Sequence, residues 1–160
     1  MSRFRSLTLI DTRYQQNNIR APARLTQQVR YIGRAGDVEL FDRFLAPTPP
    51  TDARSLIASH GLAPAWTGPV AYHRVILSLR ADAVPVPAVP GLLTIVLDDL
   101  GLLLDRRPVW VAGVHRDTDN THTHVLLAGG DAEGRSTEIR GRALERWKRQ
   151  VEERARHVSE

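Results

Sequence analysis

The sequence predicts an α+β fold, a central antiparallel sheet with helices packed on it, and a few patterns carry that prediction. Apolar residues recur at helical spacing in separate stretches: Leu25, Val29 and Ile32; Leu93, Val96, Leu97, Leu100 and Leu104; Leu144, Trp147, Val151 and Ala155. Between them lie runs rich in β-branched and aromatic residues, most clearly 71–80 and 109–114. The second run leads through Asp117 to Asn120, residues that favour turns, into another apolar run at 125–128, the pattern of a β-hairpin.

In chain order, a first strand is expected over 5–10, closed by Asp11. The polar stretch from Tyr14 to Pro22 reads as a loop, and the helix after it has Gly36 as its stop signal. On that helix Tyr31 falls beside the apolar stripe and not within it. Residues 39–50 form a connector that becomes proline-rich. Thr51 and Asp52 suit the cap of a short helix through Ser59, with Gly61 behind it and His60 complementing the helix dipole. After the 71–80 strand, a proline-rich link at 84–90 precedes the second long helix, which Gly101 weakens near its end. Beyond the hairpin come a glycine-rich loop at 129–134, a short strand candidate at 137–139, and a last helix over 142–157 with Arg146, Lys148, Arg149 and Arg154 around its apolar face.

A length of 160 residues suits one domain spanning 1–160, and a hydrophobic content of 42% supplies a core for it. The lack of cysteine removes disulfides and thiolate metal sites and fits a reducing cytosol, so a cytoplasmic location is expected. No secretory or membrane-spanning segment is expected, because the uncharged apolar run 84–97 is broken by Pro85, Pro87 and Pro90. The net charge of +4 permits binding to a polyanion. Lys148 is the only lysine among 22 basic residues. The arginine fork suits phosphate, although a GC-rich coding bias enriches arginine in the same way.

The hairpin carries the chemistry. His122 and His124, two apart on one strand, face the same side, and His115 ends the other strand about opposite them. Three neutral imidazoles converging there would bind a divalent ion and leave positions open for water or a substrate oxygen, as in catalytic rather than structural sites. By ligand type alone, nitrogen favours Zn²⁺, Co²⁺, Ni²⁺ or Mn²⁺ over Mg²⁺. Asp117 is close enough in sequence to orient one of the rings. His73 is a candidate for the same supporting role, against the commoner case of a hydrogen-bonded structural histidine.

The order His115-x-Asp117, four residues, then His122-x-His124, between apolar strands, resembles the metal motif of the HUH endonucleases, in particular the relaxases or mobilisation nucleases. Thr121 stands where many relaxases carry proline. Tyr31-Ile32-Gly33-Arg34 is similar to the Tyr-Leu/Ile-x-Arg that carries the relaxase nucleophile at a helix end, and His73 to Ser78 resembles the strand before the metal motif. All three tyrosines, Tyr14, Tyr31 and Tyr72, precede the histidines. That is the relaxase order; in rolling-circle initiators and related transposases the nucleophile follows them.

The resemblance implies the same α+β fold and a metal-dependent nicking and joining of single-stranded DNA through a 5′-phosphotyrosine, as in plasmid mobilisation and conjugative transfer. It implies Tyr31 as nucleophile with Tyr14 in reserve, Mg²⁺ or Mn²⁺ at His115, His122 and His124, and DNA contacts from Arg30, Arg34, Arg116, Arg146 and Lys148. The implied partners are a single-stranded transfer origin and accessory mobilisation proteins, with no membrane involved. Two other classes fit parts of the pattern: a DNA-binding module of the same fold that has lost cutting, and a histidine-metal hydrolase that activates water. The 2H phosphoesterases require two separated His-x-Thr/Ser motifs, which do not stand out here.

Overall fold

In the computed structural model, which describes residues 7–80, 84–116 and 120–159, the sheet is built around β3 (Val70–Arg80). On one side β3 pairs with β1 (Leu7–Gln16), and on the other with β5 (Asn120–Ala128). β5 pairs in turn with β4 (Trp110–Arg116), which carries the short edge strand β2 (Leu40–Phe41). The order is β1-β3-β5-β4-β2, with every pair antiparallel.

Side-chain alternation divides the core into two layers, one on each face of the sheet. Val75, Leu77, Trp110, Ala112, Val125 and Leu127 point to one face and pack under α3 (Val89–Leu104) and α4 (Gly141–Ser159). There Trp147 is fully buried, and its indole N–H donates to the Val96 carbonyl at 2.7 Å. Tyr72, Val111, Leu126 and Ala128 point to the other face, under α1 (Ala21–Ile32) and α2 (Pro50–Gly61). This second layer covers only part of its face. Along β3 the inward residues on the α3 side are buried throughout, whereas Arg74, Ile76 and Ser78 on the α1 side stay partly open.

Residues 86–104 form one stretch long and apolar enough to cross a membrane by composition. Val89, Leu92, Leu93, Val96, Leu97 and Leu100 are buried in the protein, and Asp99 on the same helix pairs with Arg154 of α4 at 3.0 Å. It is a core helix.

Several boundaries differ from the sequence expectation. β1 continues through Gln16, where the polar composition suggests a loop, because pairing with β3 supplies the hydrogen bonds that hold it extended. α1 ends at Ile32, before Gly36. The connector contains β2, too short to leave a periodicity. Thr51 and Asp52 do not cap α2, which starts from Pro49 with no side-chain cap. Gly61 serves close packing: a Cβ there would lie 1.9 Å from the Ala71 carbonyl oxygen. The strand expected at 137–139 does not form; the bridge beside it pairs Gly130 with Ser136.

Candidate active site

The β4–β5 register puts the three histidines on the α1 side of the sheet. His115 lies directly across from His122, and His124 lies across from Gly113. The same face of β5 continues as Leu126 and Ala128 into the core beneath α1 and α2, which fixes the side on which the imidazoles stand. The rings of His115 and His124 are in contact, with centroids 4.2 Å apart.

His115 is buried, and its Nε2–H donates to the Ile32 carbonyl at 2.7 Å. A carbonyl only accepts, so Nε2 carries a proton, and in the neutral ring the lone pair is on Nδ1. Ile32 closes α1, and carbonyls of a last helical turn have no partner within the helix. His115 therefore caps the helix that carries Tyr31. Gly113 makes this approach possible, since a Cβ at that position would meet the Ile32 Cγ2 at 2.8 Å and the Ile32 oxygen at 3.2 Å.

Behind the helix the chain reverses sharply. Gly33 N–H returns to the Val29 carbonyl, and Arg34, Ala35 and Gly36 all have positive φ, at 45°, 53° and 105°. The buried stripe of α1 is Ala21, Leu25, Val29 and Ile32, so Tyr31 stands at its border as expected from spacing. Its ring meets His115 and His124 edge-on, with centroids 6.0 Å and 5.5 Å away, while 59% of the residue remains exposed. Packing thus holds one edge of the ring and leaves the rest accessible.

The remaining expected site residues are dispersed. Tyr14 sits on β1 across from His73, on the α3–α4 side of the sheet, and the structure does not bring it to the histidines. His73 is corrected to a structural residue: it lies on that opposite face and its Nε2 bonds the Thr137 carbonyl at 2.6 Å. Its burial pushes the imidazole below its ordinary pKa, against the opposing pull of the Thr137 carbonyl and Glu138, and so favours the neutral ring. Tyr72 is core, and burial raises its phenol despite nearby Arg74 and Arg24. Arg30 lines a groove between α1 and the start of α2, with Thr51 and Arg54. Arg34 is exposed in the turn after α1. Arg116, across from Thr121, projects to the α3–α4 face, and Arg146 and Lys148 belong to α4, where Lys148 pairs with Glu145 at 3.6 Å. Asp117 lies outside the described residues.

Sequence reasoning missed a different set. Beside Tyr31 and His124 opens a cleft of about 270 Å³, lined also by Asp11, Arg13, Gln28 and Arg74. The signal for Arg74 was present, since period-two alternation along β3 puts it in phase with Tyr72 and Ile76. Ile76 lies across from His124, and this shared row places Arg74 two residues from the histidine's own row. Arg13 was hidden by the expectation that the first strand closes at Asp11, whereas β1 runs to Gln16.

The donor set suits a divalent ion. Two imidazoles with centroids 4.2 Å apart can each offer a nitrogen to an ion bonded at about 2.1 Å. On His115 that nitrogen is Nδ1, since Nε2 is engaged by Ile32. His122 lies directly across the ladder from His115, and among the described residues no three His, Cys, Asp or Glu side chains are gathered about one point. Comparison with known proteins adds no assignment: no protein-family model matches the chain, and no curated protein matches its sequence significantly.

Proposed function

We propose that this chain is a relaxase-like HUH endonuclease, a tyrosine enzyme that nicks and rejoins single-stranded DNA with a divalent ion. The observation that carries the reading is the edge-on contact of the Tyr31 ring with His115 and His124. Residues far apart in sequence meet at an accessible surface with the types needed for a nucleophile and for metal ligands. The HUH-like spacing of the histidines and the Tyr31-Ile32-Gly33-Arg34 segment support the same assignment.

In the reaction Tyr31 Oη gives up its proton and attacks phosphorus in line. The Oη–P bond forms, the P–O3′ bond breaks, and the departing 3′ oxygen takes up a proton, leaving the 5′ phosphate on the tyrosine. Attack by a 3′-hydroxyl on that phosphotyrosine reverses every step and rejoins the strand. His115, His122 and His124 would hold a divalent ion, which would supply charge neutralisation at the phosphate; Mg²⁺ or Mn²⁺ would serve in the reaction, and Zn²⁺, Co²⁺ or Ni²⁺ would suit the nitrogens. The chain contributes position. Its His115–Ile32 bond fixes the end of α1, and orientation accounts for much of the barrier in such a step. The substrate is a transfer-origin single strand, the compartment the cytoplasm, and the biological setting mobilisation with accessory proteins.

The test is incubation with Mn²⁺ and a labelled degenerate single-stranded oligonucleotide library, followed by denaturing electrophoresis. A covalent adduct should form, disappear in Tyr31→Phe, and persist in Tyr14→Phe. An adduct that survives loss of the Tyr31 hydroxyl, or none from the unaltered protein, refutes the reading. DNA binding without an adduct would instead identify a binding module.

A further inference from the structure

We infer that Arg13 and Arg74 form the phosphate clamp of the cleft and hold the nucleotide next to the one attacked by Tyr31. The inference rests on the single-stranded DNA reading above and names the residues that grip the strand. Its starting point is an electrostatic cost. Arg13 and Arg74 are direct cross-strand partners on β1 and β3, and both line the same cleft. Like charges directly opposite in an antiparallel pair destabilise the sheet, and β3 is an interior strand, where a charged residue is least expected.

The protein relieves this only in part. Asp11 binds Arg13, Oδ2 to Nε at 2.8 Å, and is the one acid among the described residues that line the cleft. Arg24 of α1 adds a third guanidinium nearby: it donates to Gln15 Oε1 at 3.2 Å, and, like Arg74, it acts on the Tyr72 phenol. Among the described residues three guanidiniums thus gather at this end of the face, with the carboxylate of Asp11 in the cleft, a field that calls for an anion. The planar fork of arginine fits phosphate oxygens bidentately.

Register gives the spacing. Asp11, Ile76, His124 and Gly113 form one row across the sheet, and Arg13, Arg74, Leu126 and Val111 form another row two residues along. Two residues of strand span about 7 Å, the scale of one nucleotide step. A strand whose scissile phosphate lies beside Tyr31 and His124 therefore brings a neighbouring phosphate over the arginine row. The arginines named from sequence alone do not share that row: Arg30 faces the α1–α2 groove, and Arg146 lies on α4 across the sheet.

The experiment measures binding of a fluorescein-labelled degenerate single strand by anisotropy over a range of salt, with the adduct assay run in parallel. Arg13→Gln and Arg74→Gln should each weaken binding about tenfold, and each should lower the slope of log affinity against log salt by roughly 0.7. Arg107→Gln and Arg149→Gln, at exposed positions outside the cleft, should stay within twofold of the parent. Arg74→Gln should melt no lower than the parent, because it relieves the like-charge pair, and Arg74→Lys should keep the salt slope. Parent affinity in both cleft variants, equal losses in the Arg107 and Arg149 variants, a parent that binds no single strand, or an Arg74→Gln variant that melts several degrees lower with binding intact overturns the clamp. The two readings separate cleanly: selective loss of binding with no adduct in the parent keeps the clamp and removes nicking, whereas an adduct with unchanged binding in both variants does the reverse.

Discussion

Gly113→Ala tests whether the position of Tyr31 depends on the close seating of α1 against β4. The new Cβ would stand 2.8 Å from Ile32 Cγ2, 3.1 Å from Leu40 Cδ2 and 3.2 Å from the Ile32 carbonyl oxygen. Unstrained carbon contacts lie at about 3.5–4.0 Å, so the end of α1 must retreat by roughly 0.7 to 1.2 Å. The Leu40 methyl ends a flexible chain and can turn away. Ile32 Cγ2 sits on a β-branched carbon with one favoured helical rotamer and cannot. Overpacking of this kind costs about 1–3 kcal/mol, which for a chain of this size lowers the melting temperature by roughly 2 to 12 °C. Tyr31 adjoins Ile32, so its hydroxyl moves with the helix end, and a displacement near 1 Å slows an oriented reaction about a hundredfold. Urea unfolding and the rate of adduct formation read the two effects. Ile32→Leu removes the branch at Cβ, so the double variant should recover part of both losses, with a coupling of about 0.5–3 kcal/mol. A Gly113→Ala protein within about 0.5 kcal/mol of the parent and equally fast in adduct formation would show that the seating of α1 does not position the tyrosine.

Further predictions concern the scaffold. His73 is held below its ordinary pKa chiefly by burial, so its contribution to stability is complete above about pH 6.5 and declines as pH falls toward its folded value; His73→Gln should remove that limb from a plot of urea midpoint against pH, and a parent curve identical to the variant's would refute it. Asp131 is fully buried, yet its carboxyl is lowered: burial raises it, and backbone N–H donors of Arg107, Arg135 and Glu133, with the Arg135 guanidinium, outweigh that. Its stabilisation is therefore present above the ordinary Asp pKa and lost as pH falls through the lowered one. Asp131→Ala should cost about 1–3 kcal/mol, the scale of leaving such N–H groups without their acceptor, and a loss below about 1 kcal/mol would mean the loop rearranges to rehydrate them. Ala35, at φ 53° and ψ 32°, occupies the left-handed region, so Ala35→Gly should leave stability unchanged or raise it by up to about 1 kcal/mol, measured by chemical denaturation; a clear loss would contradict the backbone assignment.

What the sequence determined by itself was period and chemistry. The 3.6-residue stripes of α1, α3 and α4 and the apolar runs of β3, β4 and β5 are local patterns, readable because each element buries one side of itself. Tyr31 at the border of its helix and the histidines on one face of a hairpin follow from the same phase arguments. Tertiary structure decided which elements share a face. Residues 11–16 carry too few apolar groups to signal a strand and become one only because β3 offers its hydrogen bonds. That pairing put Tyr14 on the far side and Arg13 beside Arg74, and the β3–β5 register set their row next to that of His124. The meeting of Tyr31 with His115 depends on Gly113 letting a helix end reach a strand distant in sequence. Local pattern fixes the phase of a side chain along its own element; its neighbours across the sheet are fixed by register and close packing, which are properties of pairs of segments and are not written in either one.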